Sequence, residues 1–211
     1  DARADGRVLR VDLRGARATC WVEATPEGAY LFTDRVAGVG GLPTNTAGRL
    51  MCLLSGGIDS AVAAYKMIRR GARIVFVHFH APPARPGEDS PPVAREIVRR
   101  LTLYQGESRL YLVPFQSVQR AIVARAPEEF RLLLYRRMML RIAERLARGG
   151  RCRGTVTGDS VAQVASQTLP NLAAVGSVAE LPLYRPLCGD DKREIVDLAR
   201  RIGTFEISTE P

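Results

Sequence analysis

The pattern of apolar and polar residues divides the chain into two parts. In the first part, residues 8–14 alternate strictly, with Leu9, Val11 and Leu13 at every second position. Successive side chains of a strand point to opposite faces, so this alternation predicts a half-buried strand. Two further strands and a glycine-rich linker are expected in the same part, at residues 17–23, 29–32 and 38–48. We therefore interpret residues 1–47 as a small β-containing piece that ends in a linker.

From residue 48 onward, β-favouring apolar runs alternate with helix-compatible segments. The strands are predicted at residues 50–54, 73–79, 109–113 and 154–157. The helices are predicted near residues 58–70, 91–104, 115–125, 128–149, 160–168 and 191–202. This alternation is typical of the α/β class with a doubly wound parallel sheet, which we expect over residues 48–211. Such sheets bind ligands at the carboxyl ends of their strands.

The longest predicted helix carries two stripes along residues 128–149. An apolar stripe at every fourth position predicts a face packed on the core. It consists of Leu134, Met138, Ile142 and Leu146. A basic stripe runs beside it and is more typical of a solvated face than of a binding surface. It consists of Arg137, Arg141 and Arg145.

The segment from Leu53 to Ser60 has the sequence Leu-Leu-Ser-Gly-Gly-Ile-Asp-Ser, between a predicted strand and a predicted helix. Gly56 and Gly57 allow a tight turn and a close approach of the backbone to a ligand. The unpaired N–H groups and the dipole of the following helix favour an anion, and the hydroxyls of Ser55 and Ser60 could add donors. The segment predicts a phosphate cradle, although an ordinary strand-turn-helix connection has similar residues. It is not a Walker A loop, because no Gly-Lys-Ser/Thr follows.

His78 and His80 are the two histidines of the chain, and both lie at the end of a predicted strand. Residues two positions apart in a strand share one face, so a metal pair is conceivable there. No third metal ligand lies nearby in sequence. The position at the carboxyl end of a strand suits a nucleotide base against His78 or Phe79 better.

A second turn of small residues, at positions 157–160, follows the last predicted strand. It lies at the same edge of the predicted sheet as the Gly-Gly turn. Asp159 or Ser160 could contact a ligand there, or either could cap the helix that is predicted to follow. If this turn forms a ligand site, the Gln167 side chain would hydrogen-bond to a polar edge of the ligand.

Asp191 and Glu194 match the spacing of a capping box at the start of the last predicted helix. Lys192 then falls in the first helical turn, where a cation is unusual beside the positive end of the dipole. A surface lysine and a lysine that meets a nucleotide phosphate are both compatible with this position.

The composition adds a charge argument and excludes some classes of protein. The chain has 211 residues, with 31 Lys and Arg against 22 Asp and Glu. This excess favours a polyanionic partner such as nucleic acid, the alternative being a basic surface without a partner. No apolar run is long enough to span a membrane and no signal peptide is visible, so we expect a cytoplasmic protein. Because the first residue is Asp1 rather than Met, we expect a piece of a longer chain.

The motifs together resemble one family. Ser55-Gly-Gly-Ile-Asp-Ser60 is similar to the PP-loop of the ATP-pyrophosphatase superfamily. The other motifs resemble its tRNA 4-thiouridine synthetase branch, also called the thiamine-biosynthesis sulfurtransferase. They are His78-Phe79-His80 with Pro82-Pro83, and residues 136–141, 157–168 and 185–192. Gly40-Gly41-Leu42-Pro43 resembles the junction of a THUMP domain with the catalytic domain, so residues 1–47 would be the end of an RNA-binding THUMP domain.

The resemblance implies a set of site residues in the PP-loop domain, residues 48–211. The implied ATP-binding residues are Leu53, Leu54, Ser55, Gly56, Gly57, Ser60, His78, Phe79, Arg136, Gly158 and Gln167. It also implies catalytic roles for Asp59, through Mg²⁺, and for Lys192, through phosphate. No residue is assigned as a dedicated metal ligand.

The implied activity is adenylation of the C4 oxygen of a tRNA uridine, with loss of pyrophosphate, followed by displacement of AMP by sulfur. The implied cofactors are ATP and Mg²⁺. The implied partners are tRNA, a cysteine desulfurase or another sulfur donor, and a second copy of the chain. Two alternatives remain open: another adenylating PP-loop enzyme, such as a different tRNA thiolase or an amidotransferase-type ligase, and a non-catalytic nucleotide- or RNA-binding module.

The chain departs from the family pattern in three places. Ala61 stands where the family usually has Pro, and Asp159 stands where Glu is usual. We expect the sulfur-handling cysteine of the family to lie beyond Pro211, so no sulfur role is assigned to the cysteines present. These are Cys20, Cys52, Cys152 and Cys188, whose wide spacing predicts reduced thiols rather than a zinc site.

Overall fold

The N-terminal unit consists of two antiparallel strand pairs. The structure, a computed structural model, describes residues 2–4, 7–9, 11–81 and 92–209. The chain divides into two compact units, Asp1–Gly40 and Gly41–Pro211. In the first unit the strands are β1 (Ala2–Ala4), β2 (Arg7–Leu9), β3 (Trp21–Thr25) and β4 (Gly28–Phe32), paired as β1 with β2 and β3 with β4. The assignment of residues 1–47 to a THUMP domain stays a prediction.

The predicted half-buried strand at residues 8–14 is wrong from Val11 onward. Val11 and Leu13 are 91% and 94% exposed, and a turn begins at Leu13. The Asp12 carboxylate accepts the backbone N–H groups of Arg14 and Gly15, which offers the backbone an alternative to strand pairing. The strand predicted at residues 17–23 likewise begins only at Trp21, whereas the one predicted at 29–32 is confirmed as β4.

The second unit is built on a parallel sheet, as predicted. Its five strands are β5 (Arg49–Leu53), β6 (Arg73–His80), β7 (Arg109–Pro114), β8 (Thr155–Val156) and β9 (Leu183–Tyr184). Their order in the sheet is β7-β6-β5-β8-β9, and every neighbouring pair is parallel. The first strand of the unit, β5, is therefore central, and the loops after β5, β6 and β8 leave the same edge.

Helices cover both faces of this sheet. They are α1 (Ile58–Arg69), α2 (Pro92–Thr102), α3 (Gln116–Val123), α4 (Glu128–Gly149), α5 (Leu169–Gly176), α6 (Lys192–Ile202) and α7 (Phe205–Thr209). The helix predicted at residues 160–168 is wrong, since only a 3₁₀ turn (Ala165–Gln167) forms there and Ala162 has φ of 60°. A separate helix, α5, begins after this turn. Thr168 is its N-cap, and the Thr168 hydroxyl accepts the Asn171 N–H. Residue 91 and the Pro82-Pro83 motif lie outside the described residues.

Two apolar clusters pack on opposite faces of the sheet. Within β5, Leu50 and Cys52 join the cluster that includes α1, α2 and α6, whereas Met51 joins the cluster beneath α4. The predicted core stripe of α4 is only half-buried. The fully buried residues lie on the adjacent face of the helix. They are Leu140, Ala143, Glu144 and Ala147. The two alanines let α4 lie close to the strands, which the larger residues of the predicted stripe would prevent.

The linker residues 41–47 belong to the second unit and are hydrogen-bonded to the end of α1 and the turn after it. Leu42 donates its backbone N–H to Arg69 O at 2.9 Å, and Ala47 donates to Gly71 O at 3.0 Å. At Gly41, φ is +102° and an added Cβ would lie 2.3 Å from Arg69 O. A glycine is therefore required where the linker crosses the end of α1.

Gln105 substitutes for a strand at the edge of the sheet. The pairing of β6 with β7 begins at Val75, so Ile74 has no backbone partner on that side. The side-chain amide of Gln105 pairs with both backbone groups of Ile74. Its Oε1 accepts from Ile74 N at 2.8 Å, and its Nε2 donates to Ile74 O at 2.9 Å. The Gln105 side chain is buried, so these bonds are shielded from water.

We expect Gln105→Leu to lower the free energy of unfolding by about 2 kcal/mol, because it leaves two buried backbone groups unpaired. Urea unfolding followed by circular dichroism measures the change. Gln119→Leu is the matched control, since the Gln119 side chain makes no hydrogen bond within the described residues. Equal stabilities of the two variants would contradict this role of Gln105.

Candidate functional site

The loop between β5 and α1 is shaped by its own hydroxyls. The Ser60 Oγ accepts the Ser55 N–H at 3.1 Å and donates to Gly57 O at 3.0 Å. The Ser55 Oγ accepts the Gly57 N–H at 3.2 Å. Gly57 is the N-cap of α1 and has no side-chain cap. The first N–H groups of α1 are therefore not capped by a side chain, which makes this end a favourable place for an anion.

The turn after β8 presses directly on this loop. A Cβ added to Gly158 would lie 2.7 Å from Ser60 N and 2.8 Å from Asp59 C. Real side chains do not approach backbone atoms so closely, so position 158 requires glycine. The sequence singled out Gly158 as a ligand residue, and the structure adds that it packs against the start of α1.

Asp59 and Lys192 are 133 residues apart in sequence and form an ion pair. The Lys192 Nζ lies 2.6 Å from Asp59 Oδ1, and the Gln163 Nε2 donates to Asp59 Oδ2 at 3.1 Å. The predicted capping box of α6 is confirmed, with Asp191 and Glu194 in both of its hydrogen bonds. Lys192 is thus fixed at the first turn of α6, where Asp59 offsets the unfavourable meeting of a cation with the helix dipole.

Asp159 is the centre of a buried ionic cluster that the sequence did not predict. Its carboxylate is paired with Arg136 and, at 3.3 Å, with the Arg185 Nε. It also accepts the Thr157 hydroxyl at 2.9 Å, and the residue is 5% exposed. Arg136 also donates to Ser166 O at 2.9 Å. Asp159 is therefore not an N-cap; it orients an arginine that lines the site.

The sequence indicated that Asp159 needs a cationic partner, but it did not identify that partner. A carboxylate directly after a buried strand needs a cationic partner, because an unpaired buried charge is costly. The partners of Asp159 lie 23 and 26 residues away in sequence, so the spacing alone does not identify them.

His78 lies beside the loop on β6. Its Nδ1 donates to Leu54 O at 2.8 Å, which fixes the neutral tautomer with a proton on Nδ1. Burial lowers the pKa of His78, the bond to Leu54 opposes this, and the nearby His80 lowers the pKa further. The two imidazole rings are parallel with centroids 6.4 Å apart, as expected for one strand face. Phe79 packs edge-on against Phe115.

A cavity of about 290 Å³ lies between the loop, the turn and α4. Seven of the predicted site residues line it: Leu53, Ser55, Asp59, Ser60, Arg136, Gly158 and Gln167. The other predicted residues do not line this cavity: Leu54, Gly56, Gly57, His78, Phe79 and Lys192. The Oε1 atoms of Gln163 and Gln167 are buried and have no hydrogen-bond partner among the described residues. Such unpaired acceptors are costly. Gln167 lines the cavity, so its unpaired Oε1 favours a donor group there.

The described residues hold no group of three or more His, Cys, Asp or Glu side chains that could bind a metal ion. No helix in this part of the chain is long and apolar enough to cross a membrane.

A family model named Thiamine biosynthesis protein (ThiI) matches residues 45–211. The chain belongs to the ThiI family. A "Probable tRNA sulfurtransferase" of Thermus thermophilus is 51% identical over 201 residues, which is 95% of this chain and 49% of that protein. The chain therefore spans about half the length of the curated relatives it matches.

Solved structures agree with the assignment to the ThiI family. A 4-thiouridine synthetase in complex with RNA and bound ATP superposes with a TM-score of 0.87 and 43% identity, over 96% of this chain and 53% of that one. An NH₃-dependent NAD synthetase from Campylobacter jejuni has a TM-score of 0.53 at 18% identity, over 75% of this chain and 65% of that one. The second comparison shows a shared fold alone.

We expect Gly158→Ala to lower the free energy of unfolding by about 1–3 kcal/mol, because the added methyl group displaces the start of α1. Urea unfolding measures the change. Gly189→Ala is the control, since nothing lies within 4 Å of a Cβ at Gly189. An unchanged stability of Gly158→Ala would show that the two loops are not in contact.

We also expect the stability of the ThiI-family chain to depend on pH through His78. Its folded-state pKa lies below the value of about 6.5 in the unfolded chain, so the unfolded state binds the proton more readily. This contribution to stability is complete above about pH 6.5 and is lost as the pH falls below that value.

His78→Asn keeps a donor near Leu54 O and removes the titration, so its urea midpoint should fall less steeply between neutral and mildly acidic pH. His80→Asn retains the buried His78 but removes the neighbouring ring that lowers its pKa further, so its slope should lie between those of His78→Asn and the unchanged protein. Parallel curves for His78→Asn and the unchanged protein would rule out this contribution.

Proposed function

We propose that the chain is the ATP-using core of a tRNA sulfurtransferase that forms 4-thiouridine. The observation that carries the proposal is the convergence of an uncapped helix start, the carboxylate of Asp59 and the oriented Arg136 around one cavity, with Lys192 paired to Asp59. The 43% identity to a 4-thiouridine synthetase that holds RNA and ATP supports it. Because the chain matches about half of its relatives, the activity of the whole protein is part of the proposal.

ATP fits the residues present. The N–H groups at the start of α1 would hold phosphate oxygens, with Gly56 and Gly57 allowing the close approach. The unpaired Oε1 of Gln167 is an acceptor that suits an amino group of the base or a hydroxyl of the ribose. His78 or Phe79, which face opposite sides of the neighbouring strand, would lie against the base.

Mg²⁺ fits Asp59 as its single protein ligand. This ion is commonly bound by one or two carboxylates together with substrate phosphates. Asp59 lines the cavity at the start of α1, where the phosphates would lie. When bound, Mg²⁺ would reduce the negative charge on the phosphate oxygens.

The proposed reaction has two steps. In the first, the C4 oxygen of a tRNA uridine attacks the α-phosphorus of ATP, a P–O bond forms, and the bond to pyrophosphate breaks. Lys192, Arg136 and the amide groups of the loop would stabilise the charge on the leaving pyrophosphate. In the second, a sulfur nucleophile at the oxidation state of sulfide attacks C4, a C–S bond forms, and the C–O bond breaks to release AMP.

The sulfur half of the reaction rests on the family alone. We propose that a cysteine desulfurase or another sulfur donor supplies the sulfur, and that the enzyme acts as a homodimer. The name of the family supports a further link to thiamine synthesis. None of the cysteines present is given a sulfur role in this proposal.

We expect Asp59→Asn to reduce tRNA-stimulated AMP formation by about 100-fold or more, since it removes the charge at the phosphate site. The rate is measured from labelled ATP, with sodium sulfide as the sulfur nucleophile, in the presence and absence of a tRNA transcript. Asp190→Asn is the matched control: Asp190 pairs with Lys66, and the side chains of both pairs are partly exposed. An Asp59→Asn rate equal to that of Asp190→Asn would contradict the assignment.

The same assay separates the proposed function from its alternatives. AMP formation that responds to another acceptor and not to tRNA would favour a different adenylating enzyme of the same fold. ATP binding without turnover would favour a nucleotide-binding module.

A further inference from the structure

A basic groove runs along the second half of α4, outside the candidate site. Four arginines lie three or four positions apart and therefore share one face of the helix. They are Arg137, Arg141, Arg145 and Arg148. With a rise of 1.5 Å per residue, this stripe is about 16 Å long. Residues 177–180 form the opposite wall of a groove of about 550 Å³, which we call the α4 groove.

The opposite wall is held by a buried carboxylate on α4 itself. Glu144 is 2% exposed, and its two oxygens accept the Glu180 N–H at 3.0 and 3.1 Å. Its Oε1 also accepts the Leu181 N–H at 2.9 Å. Glu144 therefore holds this wall of the α4 groove without using Arg141 or Arg145.

The charges in the α4 groove are unbalanced. Arg137 donates to Ala174 O and to the Ser177 hydroxyl, and Arg148 pairs with Glu180. Arg141 and Arg145 are exposed and have no ion-pair or hydrogen-bond partner within the described residues. The acidic groups that line the groove are Glu144 and Glu180. With four arginines and two carboxylates among its lining residues, the groove has a net positive charge.

The α4 groove lies next to the candidate site. Arg136 pairs with Asp159 in the site, whereas Arg137, the next residue of α4, borders the groove. Across from α4, Val175 of α5 lines the cavity of the site, and Ser177 at the end of α5 lines the groove. A long ligand in the groove therefore passes close to the cavity.

We propose that the α4 groove binds the phosphate backbone of the RNA substrate. The identity of that ligand as RNA rests on the proposed function. Exposed arginines bind phosphates through several N–H groups at once, and each neutralised phosphate releases counterions. A groove that contacts only the backbone adds affinity without reading sequence, while the neighbouring cavity selects the base.

The test is the salt dependence of RNA binding by the double variant Arg141→Ala/Arg145→Ala. We expect the slope of log K against log salt to decrease in magnitude by about two, one for each lost phosphate contact. At about 0.1 M salt the affinity for a tRNA transcript should fall by about tenfold or more. Fluorescence anisotropy of the labelled transcript, over a series of salt concentrations, measures both values.

Arg69→Ala/Arg201→Ala is the matched control. It removes two exposed arginines from α1 and α6, which pack on the other face of the sheet. It should retain the affinity and slope of the unchanged protein. ATP affinity, measured by calorimetry, should be the same in all three proteins, because neither pair touches the candidate site.

The outcomes separate this inference from the proposed function. An Arg141→Ala/Arg145→Ala variant that binds the transcript like the control would overturn the role of the α4 groove. Absence of salt-dependent binding in the unchanged protein would overturn it as well. If the unchanged protein binds RNA with the expected salt slope but shows no tRNA-stimulated AMP formation, the proposed function is contradicted and the role of the α4 groove is not.

Discussion

The contact between two loops at the carboxyl edge of the sheet determines the geometry of the candidate site. β5 and β8 are neighbours, so the loop after β5 and the turn after β8 leave the sheet side by side. At Gly158 the turn touches the backbone of Asp59 and Ser60, with no space for a side chain. The same turn carries Asp159, which holds Arg136 of α4. One backbone contact thus aligns the start of α1 with a cation from the other face of the sheet.

The carboxylates of the site hold its cations in different ways. Asp159 is buried and binds two arginines, so Arg136 is oriented before any ligand arrives. The pair of Asp59 with Lys192 is more exposed, at 26% and 48% for the side chains. Lys192 can therefore exchange its partner for a phosphate at lower cost than Arg136 can. This division gives the site one fixed cation, Arg136, and one adjustable cation, Lys192, which is paired with Asp59.

The sequence identified the parts of the site that are local, and it missed those that depend on packing. The loop around Gly56 follows from a strand, two glycines and a helix start, and the capping box that holds Lys192 follows from residue spacing. The pairs of Asp159 join segments more than 20 residues apart, and no local pattern encodes them. Among the elements, β5 and α1 were predicted to within a residue or two, whereas α5 was missed because the 3₁₀ turn before it breaks the helical period.

The two faces of α4 explain how the chain could hold two polyanions at once. Consecutive residues of a helix point about 100° apart, because 3.6 residues complete one turn. Arg136 therefore reaches the candidate site while Arg137 borders the α4 groove. If the phosphates of ATP and of RNA shared one basic surface, each would weaken the binding of the other through repulsion and competition for the same cations. The proposed adenylation of an RNA base requires both ligands together, so it would favour separate cationic surfaces on one helix.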